Sequence, residues 1–383
     1  MNKILFGTVI PAAVLVFCVI LSLCPIGCKA SLDEIDVLEG DFSVPHVENF
    51  SVNGSRFLQM DFTKKISVEN ASAYDSEEET SFCDVHTTYS EDGKSAYLEM
   101  DRETVVGKKY VVEGIIVDEH GNSLTFSIPF RGYNENPAKI ILSEVRNAYG
   151  TASVKDDSGT SQKVHRSEYV ELYVLEEGNL SGIEVCSAGD GEEKKYFMPP
   201  INVKRGEYIT VHMRTVDSEG FDGEGMISEL EDNLNLSTHE DSCSSARDLW
   251  SDNTKACFAD SDIIYLRNCY DGTILDALVY AKSSLSFWKD SYAEVVAAVD
   301  SSGVWGTEAF PENGVCSDFI TTSAATRSFS RQNIEDCIAA YEKGEPVKNG
   351  KEVWMITANS GSGKKMIQGI TPGFKNSSNE YRK

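Results

Sequence analysis

The groups in this sequence that could carry chemistry are its 61 acidic residues, six histidines and ten cysteines. His46, His86, His120, His165, His212 and His239 are scattered, and no HExxH spacing sets two of them on one helical face to hold a metal. No Gly-x-Ser-x-Gly elbow is present to expose a serine nucleophile. Ala358 to Lys365 has part of a phosphate-loop spacing, but Ala358 stands in place of the first glycine and Lys365 in place of the hydroxyl residue. It reads as a hairpin loop. Asp217, Glu219, Asp222, Glu224, Glu229, Glu231 and Asp232 offer oxygens to calcium, but without the DxDxDG spacing of a calcium loop they read as a solvated acidic loop. Glycoside hydrolysis needs two carboxyl groups at a fixed separation, and nothing singles out a pair. The expectation is a protein without catalysis, cofactor or bound metal.

The strongest local signal is at the N-terminus. Met1-Asn2-Lys3 is a short basic start, Ile4 to Leu23 is apolar and uncharged, and the run ends in Cys24-Pro25-Ile26-Gly27-Cys28 before a polar, acidic stretch. This is a secretory pattern. Gly27-Cys28 resembles a bacterial lipobox, with Pro25 and Ile26 departing from its first two positions, and implies lipidation of Cys28 at a mature N-terminus. An uncleaved membrane span is the alternative. Either way the body is anchored to a membrane outside the cytoplasm, in the periplasm or at the cell surface. The formal charge of −26 repels phosphate backbones and argues against a nucleic-acid partner. Seven cysteines remain beyond the anchor. Cys83 is alone in 43–134; Cys186, Cys243, Cys257, Cys269, Cys316 and Cys337, all within 138–376, could form three disulfides, or stay as buried thiols.

Behind these groups the sequence reads as all-β: two tandem Ig-type β-sandwiches, the second with partly helical insertions. The signal covers 1–28 and an acidic tether 29–42. From 43 to 134, short alternating strands are separated by turns. Leu58, Met60 and Phe62 share one face, and Gly114 suggests a kink within 109–117. Order and spacing here resemble bacterial Ig-like domains. Tyr133 to Pro137 reads as a polar hinge. From 138 to 376, Ile141-Leu142-Ser143-Glu144-Val145, Glu168-Tyr169-Val170-Glu171-Leu172-Tyr173, Leu180-Ser181-Gly182, Asp271 to Tyr280, Arg327 to Arg331, Trp354 and Thr371-Pro372-Gly373-Phe374-Lys375-Asn376 together resemble a bacterial lamin-tail domain, which implies an Ig-type sandwich. Residues 377–383 form a tail.

Alternation along Glu168–Tyr173 puts Val170 and Leu172 in the core, and Tyr169, Glu171 and Tyr173 on a face that is exposed or covered by an insertion. Insertions lie near 217–257, 284–322 and 332–351. Helices are expected at Tyr292–Val299 and along Ile334, Cys337, Ile338 and Tyr341, with Ser330 as N-cap of the latter. Insertions on a rigid scaffold are where binding tends to sit. Trp250, Trp288 and Trp305 fall in them and are candidate contacts for an unknown protein or glycan partner. The functional expectation is a membrane-anchored envelope lipoprotein with a binding or structural role. The alternative is an extracytoplasmic hydrolase with a site in the insertions, and a convergent polar cluster in a deep pocket, with a histidine of the insertions such as His239, would favour it.

Overall fold

The computed structural model describes residues 43–78, 80–155, 158–189, 191–215, 225–239, 241–321, 325–359 and 369–381. The export segment, Cys28, the tether, Asp217–Glu224 of the acidic run and Ser360–Lys365 of the glycine loop lie outside them. No helix among the described residues is long and apolar enough to cross a membrane.

The first sandwich contains β1 (Val47–Val52), β2 (Phe57–Phe62), β3 (Ile66–Asp75), β4 (Thr80–Tyr89), β5 (Ser95–Met100), β6 (Lys109–Asp118) and β7 (Ser123–Arg131). The strands run β1-β2-β5-β4 on one side and β3-β6-β7 on the other, all antiparallel, with β3 also pairing β4. This is the ABED/CFG arrangement of a constant-type Ig domain. Strict alternation builds the core: Leu58, Met60 and Phe62 from β2, Ala96, Leu98 and Met100 from β5, and Tyr110, Val112 and Ile116 from β6 are buried. The bend expected at Gly114 is in the partner strand. β3 carries a bulge between Glu69 and Ser72, with Asn70 at φ 53°, while β6 runs unbroken and Gly114 leaves room for the Phe126 ring.

The second sandwich is larger. Its strands are β8 (Lys139–Arg146), β9 (Gly150–Lys155), β10 (Ser161–Arg166), β11 (Tyr169–Glu176), β12 (Gly178–Asn179), β13 (Ile183–Ser187), β14 (Lys195–Phe197), β15 (Asn202–Val203), β16 (Tyr208–His212), β17 (Arg247–Trp250), β18 (Asp262–Asn268), β19 (Ile274–Ala281), β20 (Val315–Cys316), β21 (Arg327–Arg331) and β22 (Trp354–Ala358). A six-stranded sheet, β17-β16-β11-β8-β21-β22, packs on a five-stranded one, β14-β13-β18-β19-β20. Val170, Leu172, Ile209, Val211, Ile264, Leu266, Leu278 and Phe329 lie in the core between them. The insertions supply α1 (Ala293–Ser302) and α2 (Ile334–Glu342), close to the expected spans. Asn333, not Ser330, is the N-cap of α2: Ser330 is inside β21, hydrogen-bonded to Thr357. The 217–257 segment is more than a rim insertion, because its residues 247–250 form β17, paired in parallel with β16.

The cysteines correct the disulfide expectation: all seven in the described body carry free thiols. They are dispersed over β4, β13, β20, α2 and three loops, and most are packed as small apolar groups. Burial pushes the Cys186 and Cys269 thiols up to about 12, which leaves them unreactive near neutrality.

The segment read as a hinge is held at both ends. Asn134 is buried and donates from Nδ2 to the carbonyls of Asn179 (2.9 Å) and Ser181 (2.8 Å), while its Oδ1 accepts from Asn136 N–H (3.0 Å). The Tyr133 and Tyr270 rings meet at 4.9 Å, and Tyr270 donates to Gly132 O. Tyr270 lies so close over Gly182, at φ 88°, that a Cβ there would stand 2.2 Å from its ring. Asn134→Ala removes both bonds and leaves the buried Ser181 carbonyl without a donor, while Asn179 O keeps the Ala138 N–H, so it should lower the unfolding free energy by about 2 kcal/mol in urea titrations; an unchanged midpoint would mean these bonds contribute nothing to stability.

Candidate functional site

The outer face of the six-stranded sheet is polar, yet buried. β8 contributes Glu144 and Arg146, β11 Tyr169 and Glu171, β16 Thr210 and His212, β17 Asp248 and Trp250, β21 Ser328 and Ser330, and β22 Thr357. The face anticipated from Tyr169 and Glu171 is the covered one. Residues 225–239, 241–246 and 369–376 lie over it.

Antiparallel register sets Glu144 directly opposite Glu171. Glu144 accepts from Tyr169 Oη (2.8 Å), from Thr371 N–H (3.1 Å) and Oγ1 (2.9 Å), and from Ser328 Oγ. Glu171 accepts from Gly373 N–H at 2.5 Å, and its Oε1 has no partner among the described residues. Burial raises Glu144 above the usual carboxylate range, against the pull of those hydrogen bonds. Burial and then the neighbouring Glu144 charge raise Glu171 well above it. Glu144 has the donors that favour the charged form, so Glu171 takes the proton.

Two residues along β8, Arg146 is fully buried. It donates to Asp241 and to Ser167 O, and its guanidinium stacks over the Tyr169 ring at 4.6 Å. Arg166 also reaches Asp241. Burial alone would raise the Asp241 carboxyl, but Arg146 and Arg166 hold it far below the usual range. His212 Nε2 lies 2.9 Å from Asp248 Oδ1, and the Trp250 ring stacks on His212 at 3.6 Å. His239 packs edge-on against both rings, and its Nδ1 accepts from Asp241 N–H, which fixes a neutral tautomer. The cover is pinned by Glu229, whose carboxylate accepts from the N–H groups of Leu236, Ser237 and Asp248. The one described acid of the calcium run that is fully buried therefore caps backbone. Among the described residues no group of three or more His, Cys, Asp or Glu is placed to hold a metal.

This layer contains a carboxyl pair, an Asp–His pair and a second histidine, but its central groups have no exposed surface, so no substrate reaches them as folded. Sequence reasoning had no means of pairing Glu144 with Glu171, because only the β8–β11 register does so. Of the three candidate contact tryptophans, Trp305 is buried in the core, Trp288 donates to Ala309 O and stacks on Tyr292, and Trp250 donates to Ser237 Oγ.

An open concavity lies elsewhere. A cavity of about 410 Å³ is walled by the junction (Tyr133, Asn134, Pro137), the starts of β8 and β19 (Lys139, Ile141, Leu275), the end of α1 (Gly303, Val304) and the stretch after α2 (Pro346, Val347). Two of the three insertions thus build one wall of it. No single stretch of sequence carries the cavity, and its volume is in the range of small-molecule sites.

Fold and geometry define a tandem β-sandwich protein whose second sandwich is elaborated by insertions. The family model TP_1001_2nd, described as "protein second domain", matches residues 138–356, and the chain belongs to that family. A relative from Treponema pallidum (strain Nichols), named only as an uncharacterized protein, is 32% identical over 176 residues, 46% of this chain and 40% of the relative. The chain therefore spans about two fifths of that relative's length. Among solved structures, the N-terminal part of the bacterial S-layer protein SbsC is similar at 21% identity and a TM-score of 0.23, covering 41% of this chain and 38% of that one. A DUF4876 family protein from Bacteroides thetaiotaomicron is similar at 11% identity and a TM-score of 0.28, covering 84% and 96%. Superpositions at that level carry no argument about fold or function.

His239 gives this layer a pH signature. Burial pushes its pKa down from 6.5 to about 4. A depressed folded pKa contributes stability above the unfolded value and loses it as pH falls through the folded one. Unfolding free energy should therefore drop by about 3 kcal/mol between pH 6.5 and 4 from this group. His239→Gln should flatten that part of the curve; a wild-type slope in the variant would assign the loss to other groups.

Proposed function

We propose that this chain is a membrane-anchored protein of the cell envelope, outside the cytoplasm, with a non-catalytic binding or structural role exercised through its second, lamin-tail-like sandwich. The observation that carries the reading is the division between two places. The groups suited to acid–base chemistry are sealed beneath the covering segments, whereas the open concavity is built by the insertions and the junction. The insertion side also presents apolar side chains to solvent, Phe287 at 83% and Phe310 at 45% exposure. Such residues suit a protein or glycan partner docking there. The anchor rests on the apolar run ending at Gly27-Cys28, with Cys28 carrying the lipid.

The hydrolase reading has one observation in its favour, the facing Glu144 and Glu171. It requires the cover over the sheet to lift, and the two readings part on Glu171→Gln. A structural acid that is already protonated tolerates the amide, so the variant should fold, keep its partner and be at least as stable above neutral pH. The sign follows from the raised folded pKa: the carboxylic acid supports the fold at low pH and weakens it as pH rises towards that pKa. Abolition of a cellular function in a fully folded Glu171→Gln protein would support catalysis instead.

Anchoring and docking are tested in cells. Cys28→Ser should abolish metabolic palmitate labelling, and persistent labelling would place the lipid elsewhere. A photo-crosslinking residue at position 287 should capture an envelope partner that the same residue at Tyr97, exposed on the first sandwich, does not. Equal capture at both positions would move the docking surface away from the insertions.

A further inference from the structure

The junction cavity has a chemical bias. Its walls are mainly apolar, from Pro137, Ile141, Leu275, Val304 and Val347. The one acid among its described lining residues, Asp276, is turned to internal partners: it accepts from Arg331 Nη1 (2.7 Å), Asn349 Nδ2 (2.9 Å) and Leu142 N–H (2.8 Å). Its charge is therefore cancelled before a ligand arrives. Lys139 also lines the cavity, is exposed, and has no acidic partner among the described residues. Ser181, buried beside Tyr270, lines the same space.

We infer that this cavity binds a small amphiphile with an apolar body and a single anionic head, the body lying along Leu275, Val304 and Val347 and the head meeting Lys139. The inference rests on the binding reading above and adds the ligand class to it. Charge-assisted hydrogen bonding to Lys139 supplies the selectivity, and the apolar walls supply the area. A cationic head gains nothing here, because the one carboxylate among the described lining residues is already paired with Arg331.

Isothermal titration of the full chain in nanodiscs, with empty nanodiscs as blank, tests this with octanoate, octanamide and octylammonium. Octanoate should bind saturably at one site and octylammonium at least about tenfold more weakly. Lys139→Met, a change at an exposed side chain, should weaken octanoate by about tenfold and leave octanamide unchanged. Leu275→Trp, which fills the cavity from a part-exposed position, should abolish both. Octylammonium binding as tightly as octanoate, or an unaltered octanoate affinity in Lys139→Met, overturns the anionic head while leaving a binding cavity in place. No saturable binding by any of the three overturns the cavity as a ligand site, and the crosslinking outcome at position 287 is unaffected by that result.

Discussion

Arg146 and Asp241 form an ion pair from which water is excluded, and the outer face of the six-stranded sheet is organised around that exclusion. Two charges removed from water are tolerable only when each finds a complete set of partners, and removing one partner from such a pair typically costs about 3–5 kcal/mol. Arg146 has Asp241, Ser167 O and the Tyr169 ring; Asp241 has a second guanidinium from Arg166. Asp241 itself comes from the covering segment, so the cover is the counter-charge as well as the lid. The same logic extends along β8 to Glu144, whose donors come from β11, β21 and the segment at Thr371. A sheet with one oily face and one charged face thereby becomes buried on both.

The elements of this fold were largely legible because their patterns are local. Alternation in β2, β5 and β6 gave the first core, and the spacing of Ile334, Cys337, Ile338 and Tyr341 gave α2. The split between Val170 with Leu172 and Tyr169 with Glu171 was also readable from period two. What alternation could not supply was the environment of the second face. Tyr and Glu on one side of a strand describe a solvated surface as well as a sealed network, and only the cover decides between them. The carboxyl pair was hidden for the same reason, since register is a property of two strands and neither contains it.

Other misjudged features share a cause: each was a polar or small residue whose role depended on a distant partner. Ser330 looks like a cap until Thr357 takes its hydroxyl. Tyr133–Pro137 looks like a hinge until Asn134 finds two carbonyls of the following sandwich. Gly114 looks like a kink until Phe126 fills the space beside it. Cysteines clustered in half of a sequence suggest bridges, yet those residues end on separate strands and loops. The cavity is the extreme case, with walls drawn from the junction, two strands and two insertions.

The bonds from Thr371 to Glu144 span 227 residues of chain. Contacts of that separation form late, because a long loop must close before they return any energy. At ordinary synthesis rates the interval between making Glu144 and making its last donor is roughly 10–50 s. During that time the acid, Arg146 and their strand present a half-finished sheet to solvent, with its apolar face also incomplete. The protein therefore passes through a prolonged stage in which a holding chaperone has more surface to recognise than the finished molecule ever shows.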